Sequence, residues 1–228
     1  MRSALLKAAE SQWLARNLPR YAFSRRAVRR FMPGEELADA LSECQQLGSA
    51  GTGSVITRLG ENITSLAEAH AVRDHYIDAL KEINARSVPT HLSVKLTQLG
   101  LDISLPETAT HVAAITATSA SFDAPVWIDM ESSRYVDPTL DVFRRTRAQH
   151  ENVGLCVQAY LHRTARDLTN LLESTTAIRL VKGAYRESAD VALQSKKDVD
   201  ANYFALAAKL LASVKERTIG YVPAFATH

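Results

Sequence analysis

From Pro33 to His228, short apolar runs of strand length alternate with longer segments whose apolar residues recur at helical spacing, a pattern of repeated βα units. A first helix is expected after Pro33-Gly34, over 35–46, ending near Gly48. Six strands then follow, at 54–57, 91–96, 126–130, 153–159, 178–182 and 221–226. Helices are expected between them at 64–84, 106–118, 138–149 and 164–173, with two further helical stretches at 187–193 and 198–216. Strands that alternate with helices predict a parallel sheet. No glycine-rich turn opens a helix in the manner of a dinucleotide-binding fold, because Gly51-Thr52-Gly53 precedes a strand. The expected fold is therefore α/β, a (βα)8 TIM-type barrel incomplete at about six strands, in residues 51–228, preceded by an N-terminal helical arm in residues 1–50.

Composition supports one globular domain: 228 residues, 46% of them hydrophobic, suffice for a sizeable core. No apolar run approaches the length of a membrane-spanning helix and the start does not resemble a secretory signal, so a cytoplasmic or membrane-surface location is expected. Cys44 and Cys156 stand far apart without a CxxC pattern, which gives neither a disulfide framework nor a zinc site. The net charge of +2 hides an asymmetry, since residues 1–30 carry eight Lys or Arg against the single acid Glu10. An arm with Arg20, Arg25, Arg26, Arg29 and Arg30 among Trp13, Leu14, Leu18, Tyr21 and Phe23 suits peripheral contact with an anionic membrane, an organellar presequence, or a helix packed on its own domain. Nucleic acid is disfavoured, because the basic character stops at Phe31 and no recognition motif follows.

Chemistry gathers at the strand ends. The second strand leads into Lys95, the third into Asp129 and Glu131, the fourth into Gln158 and Tyr160, the fifth carries Arg179 and Lys182 with Tyr185 beyond, and the sixth leads to Thr227 and His228. Barrel interiors are normally filled by branched apolar side chains, and active sites lie at the C-terminal face. Polar groups on so many successive strands point to one shared pocket, although Lys95 with Asp129 would also serve as an internal ion pair and Gln158 as a satisfied core amide.

The same residues resemble those of the bacterial monofunctional proline dehydrogenases. The matching stretches are Arg-Phe-Met-Pro-Gly-Glu at 30–35, Leu-Gly-Glu at 59–61, Ser-Val-Lys-Leu-Thr-Gln-Leu-Gly at 93–100, Ile-Asp-Met-Glu at 128–131, Gln-Ala-Tyr-Leu-His-Arg at 158–163, Arg-Leu-Val-Lys-Gly-Ala-Tyr at 179–185 and Ala-Thr-His at 226–228. The resemblance implies FAD-dependent oxidation of L-proline to Δ1-pyrroline-5-carboxylate in proline catabolism, with electrons passed to a membrane quinone. It implies that Lys95 holds the substrate carboxylate with Glu61 as its ion-pair partner, that Asp129 and Tyr185 line the proline pocket, and that Arg179 lies beside the flavin ring. Gln158 would hydrogen-bond that ring, Val181, Lys182, Gly183 and Ala184 would run beside the cofactor, and Thr227 and His228 would reach it from the sixth strand. No metal is implied, and oligomerisation is left open.

Two departures from the family pattern stand out. Thr57-Arg58 precede Leu-Gly-Glu where many members carry an acid, and the chain reaches six strands without the final helix bearing Arg-Arg-x-x-Glu, so it reads as C-terminally truncated. Two other readings fit the same residue types: a Schiff-base lyase or aldolase using Lys95 or Lys182, and a non-catalytic barrel fragment.

Overall fold

The computed structural model describes residues 34, 36–60, 63–122, 124–173, 177–216 and 223–227. The basic arm, Glu61 and His228 lie outside the described residues. The chain divides into two compact units at Ser54/Val55. In the first, helix α1 (Leu37–Ser49) starts and ends later than the glycine pattern predicts. Gly48 lies inside the helix, and Gly51, at φ 75°, is the residue that takes the left-handed turn, its N–H donating to Gly48 O.

The second unit carries the sheet, in the order β1 (Ser54–Ile56), β2 (Thr90–Val94), β3 (Val126–Ile128), β4 (Val153–Gln158), β5 (Ala177–Val181) and β6 (Ala224–Phe225). Pairing from β2 through β6 is parallel throughout. An order that never reverses is that of a singly wound sheet, in which right-handed crossovers place all the helices on one face, as in a barrel wall. Helices α2 (Leu66–Ala85), α3 (Leu105–Ala120), α4 (Val136–Arg147), α5 (Thr164–Leu172) and α6 (Lys196–Glu216) form that outer layer. Neighbouring pairs α2 with α3 and α3 with α4 pack together, and α3, α4, α5 and α6 pack on the strands. Among the described residues no helix is long and apolar enough to cross a membrane.

Local signals explain the helix starts. Ser65 caps α2 by accepting from Glu68 N at 3.3 Å, and the Glu68 carboxylate accepts from Thr64 N at 2.7 Å. Ser104 does the same for Glu107 N at 3.4 Å, with Pro106 in the first turn of α3. The core lies between strands and helices: Val94, Ile128, Leu155, Ile178 and Leu180 from the sheet meet a layer that includes Val112, Ile115, Phe143, Leu168 and Leu206, all buried.

Three expectations need correction. The second strand ends at Val94, and Leu96 leads into a 3-10 turn over Thr97–Leu99 that Gly100, at φ 103°, terminates. The third strand likewise stops at Ile128, short of Met130. The stretch 187–193 is not helical: it runs as a loop whose Ala192 forms an antiparallel bridge with Leu161, and His162 N donates to Val191 O at 3.1 Å. Tertiary pairing with the end of β4 there outweighs a local helical preference.

Candidate active site

Parallel register fixes which side chains share a row across the sheet. Ser93 pairs with Trp127, which places Lys95 level with Asp129 two residues on; Ile128 pairs with Leu155 and Cys156 with Arg179, which in turn pairs with Ala224. Lys95, Asp129, Cys156 and Arg179 therefore stand in one row, contributed by four successive strands or their immediate continuations. Side chains alternate along a strand, so the row faces away from the helices, with Ser93 and Trp127 one step below it and Gln158 and Val181 one step above.

Within this row Arg179 bonds directly to the Asp129 carboxylate. Its guanidinium also donates to Ser93 Oγ at 2.9 Å, and that hydroxyl donates to the same Asp129 oxygen at 2.8 Å. The guanidinium lies 5.4 Å from the centre of the Trp127 ring, within cation–π range. Trp127 in turn lies over Gly154, where an added Cβ would come within 2.6 Å of the indole. Side-chain exposures of 15% for Arg179 and 21% for Asp129 leave the pair shielded yet reachable. Cys156 sits beneath the pair, buried, and burial pushes its thiol up from its ordinary range.

Loops beyond the strand ends are held by carboxylates. Glu131, 5% exposed, accepts from Thr97 N at 3.0 Å and Thr97 Oγ1 at 2.6 Å, fixing the turn that follows Lys95. Gln98 donates to Arg58 O at 3.1 Å and to Gly60 O, and accepts from Tyr76 Oη at 3.0 Å, which anchors the backbone leading to Glu61. Glu187 accepts from Ser133 N at 2.7 Å and Ser133 Oγ at 2.6 Å and ties the loop after β5 to the loop after β3.

Gln158 shows what is missing from the protein's own partners. Its Nε2 donates to Met130 O at 3.0 Å, while its buried Oε1 has no hydrogen-bond partner among the described residues. An orphaned acceptor at the C-terminal end of a strand fits a ligand that donates an N–H, as the imide edge of a flavin does. Beside it, Gly183 at φ 110° lets the chain cross the Tyr160 ring, where a Cβ would stand 2.1 Å from a ring carbon. Tyr160 N donates to Lys182 O at 2.9 Å. The Tyr160 phenol is pushed up to about 12, chiefly by burial and then by the charge of Glu187.

The predicted residues separate into groups. Asp129 and Arg179 are in direct contact, Lys95 stands in the same row, Gln158 and Val181 lie one step above it, and Gly183, Ala184 and the half-buried Tyr185 continue from the end of β5. Lys182 turns to the helix layer, where its Nζ meets Asp200 of α6 at 2.7 Å, with Lys196 on the other carboxylate oxygen at 2.5 Å. Thr227 is exposed beyond β6, next to Ala226, whose N–H donates to Leu180 O at 2.9 Å. Sequence reasoning did not assign Ser93 or Trp127 to the site, and it placed Tyr160 at a strand end without giving it a role. The signal for the first two was available, since each stands two residues before a charged member of the row and so shares its face.

Residues 40–228 match the profile of the family described as proline dehydrogenase. Proline dehydrogenase 1 of Bacillus subtilis (strain 168) is 35% identical over 205 residues, covering 90% of this chain and 66% of the relative, so the chain spans slightly under two thirds of that protein's length. Proline dehydrogenase of Deinococcus radiodurans is 33% identical over 183 residues, covering 76% of this chain and 58% of the relative. Among solved structures, proline utilization A from Bdellovibrio bacteriovorus, inactivated by N-propargylglycine, superposes with a TM-score of 0.76 at 24% identity, over 86% of this chain and 25% of that one. The structural likeness bears on the fold, the TIM-type barrel of these neighbours, and the sequence matches carry the assignment: the chain belongs to the proline dehydrogenase family.

Proposed function

We propose that this chain provides the catalytic face of an FAD-dependent enzyme that oxidises L-proline to Δ1-pyrroline-5-carboxylate, with a membrane quinone as the final electron acceptor. The observation that carries the reading is the shielded Asp129–Arg179–Ser93 network at the C-terminal ends of the strands, in a chain of this family. FAD, when bound, supplies the two-electron oxidant that takes hydride from the proline ring carbon next to nitrogen.

The protein's own part is to bind and orient. Asp129 and Ser93 hold the Arg179 guanidinium in one orientation, so its charge is preorganised towards the cofactor and little reorganisation is needed during reaction. Lys95, level with Asp129 in the row, supplies a cation for the proline carboxylate, and the Glu131 clasp on Thr97 fixes the turn behind it. Gln158 Oε1 would accept an N–H of the cofactor ring, and the backbone from Val181 to Ala184, opened by Gly183, would lie along it, with Thr227 and His228 approaching from β6. Tyr185 would close the substrate side, and Glu61 would balance Lys95. Lys182, already tied to Asp200, is a poor candidate for the free amine a Schiff-base lyase requires.

The test is an absorbance scan of the purified chain after FAD addition and desalting, then anaerobic L-proline. Retained flavin bands that bleach with proline are expected. A chain that binds FAD but is not bleached by proline refutes the substrate; one that binds no FAD refutes the reading for these residues.

A further inference from the structure

On the outer layer, the N-terminal turns of α2 and α3 bring together His70, Glu107 and His111, whose candidate ligand atoms all lie within 4.8 Å of one another. His111 is fully buried, and its Nδ1 stands 2.9 Å from Leu99 O. A carbonyl can only accept, so Nδ1 carries the proton and Nε2 presents a lone pair. That Nε2 has no hydrogen-bond partner among the described residues. The His70 ring meets the His111 ring edge-on, with centroids 5.0 Å apart at 88°. Glu107 lies one turn before His111 on the same helix face, set there by the Ser104 cap.

We propose that His70, Glu107 and His111 form a binding site for a divalent transition-metal ion of the zinc class, clipping α2 to α3. Two imidazoles and a carboxylate are a donor set that zinc takes with water in the fourth position. The Nδ1–H donation to a backbone carbonyl is the usual way a metal-ligating histidine is oriented. In a tetrahedral site with metal–ligand bonds of about 2.1 Å, neighbouring ligand atoms stand about 3.4 Å apart. Closing to that spacing asks for side-chain rotation only at His70 and Glu107, which are partly exposed, while His111 stays fixed. Two positive influences oppose a cation here: the N-terminal ends of both helices, and Arg73 one turn from His70. Arg73 is engaged by Asp74 at 2.7 Å, and the Glu107 carboxylate faces the ion directly.

The ligands come from helices 37 positions apart in sequence, which is why no spacing motif announces them. The site touches none of the residues of the Asp129–Arg179 network. A link to that region is Leu99, which accepts from His111 and ends the turn that Glu131 fixes through Thr97. The role assigned is therefore structural, and it holds whether or not the chain oxidises proline.

Cobalt(II) titration of the chelator-treated chain tests it. The expected result is one equivalent bound, with visible ligand-field absorption of a low-coordinate site that zinc displaces. Zinc at a hundredfold excess over its Kd should raise the thermal midpoint by about 5 °C. His70→Gln and Glu107→Gln, at partly exposed positions where folding is undisturbed, should each weaken zinc binding at least tenfold and abolish the bands. His111→Gln is a third variant, and the first two decide the matter if it does not fold. No stoichiometric absorption, or absorption and midpoint shift that survive both exposed substitutions, overturns the proposal.

Discussion

Asp129 receives Arg179 and Ser93 on a single oxygen, so the ion pair is held by a third group that belongs to a third strand. Removing one charge leaves the other shielded and uncompensated. Because water still reaches both side chains, Asp129→Asn and Arg179→Met should each lower the free energy of unfolding by about 1–3 kcal/mol, less than for a fully buried pair. The double variant should lose less than the sum, by about 1 kcal/mol in urea denaturation, and strict additivity would show that the pair is not coupled. Tyr160 gives a pH test. Its phenol titrates near 12 in the folded chain and near 10 when unfolded, so the folded state holds the proton over that interval. Its contribution is complete below pH 10 and is lost as pH rises towards 12. Tyr160→Phe should therefore flatten the loss of stability between pH 10 and 12 while costing under about 0.5 kcal/mol at pH 7, because the hydroxyl has no partner in good hydrogen-bond geometry. Unfolding curves of the two proteins across that range compare directly.

At the scale of elements, the end of β5 depends on a glycine for two reasons at once. Gly183 adopts φ 110°, and the space its side chain would fill is occupied by the Tyr160 ring. Gly183→Ala should lower stability by about 2–4 kcal/mol and disturb the tyrosine's near-ultraviolet dichroism. Gly60→Ala, where φ is 132° but nothing lies within 4 Å of the added carbon, carries the backbone strain alone and should cost less, with unchanged dichroism. Equal effects of the two would show that contact with Tyr160 adds nothing. These positions also mark the limits of sequence reading. The strands were legible because short apolar runs such as Val153–Val157 are buried throughout, and the helix starts because Ser65 and Ser104 are followed by Glu at the capping distance. The early ends of β2 and β3 were not, since Lys95 and Asp129 extend an apolar pattern that hydrogen bonding to distant loops interrupts. The loop at 187–193 has helical composition, and only its partner at Leu161 and His162, remote in sequence, reveals the bridge.

For the whole molecule, legibility of the site followed from register. Arg179, Asp129 and Lys95 stood out individually as charges at apolar strand ends, but their alignment in one row depends on pairings between residues 23 to 34 positions apart. The uncharged neighbours of the row, Ser93 and Trp127, were legible by strand alternation alone, each two residues before one of its charges. The row also has a consequence for how the sheet forms. Should β5 pair with β4 one residue out of step, Leu180 would take the place of Arg179, the guanidinium would turn towards the packed helices, and Asp129 would be left shielded without its counter-charge. The same slip would turn Ile178 and Leu180 out of the helix-facing core, so hydrophobic contact and charge pairing oppose the same misalignment. The charged pair adds to the cost of the wrong alignment, and thus the two residues at the centre of the candidate site also act as a proofreading step for strand alignment during assembly.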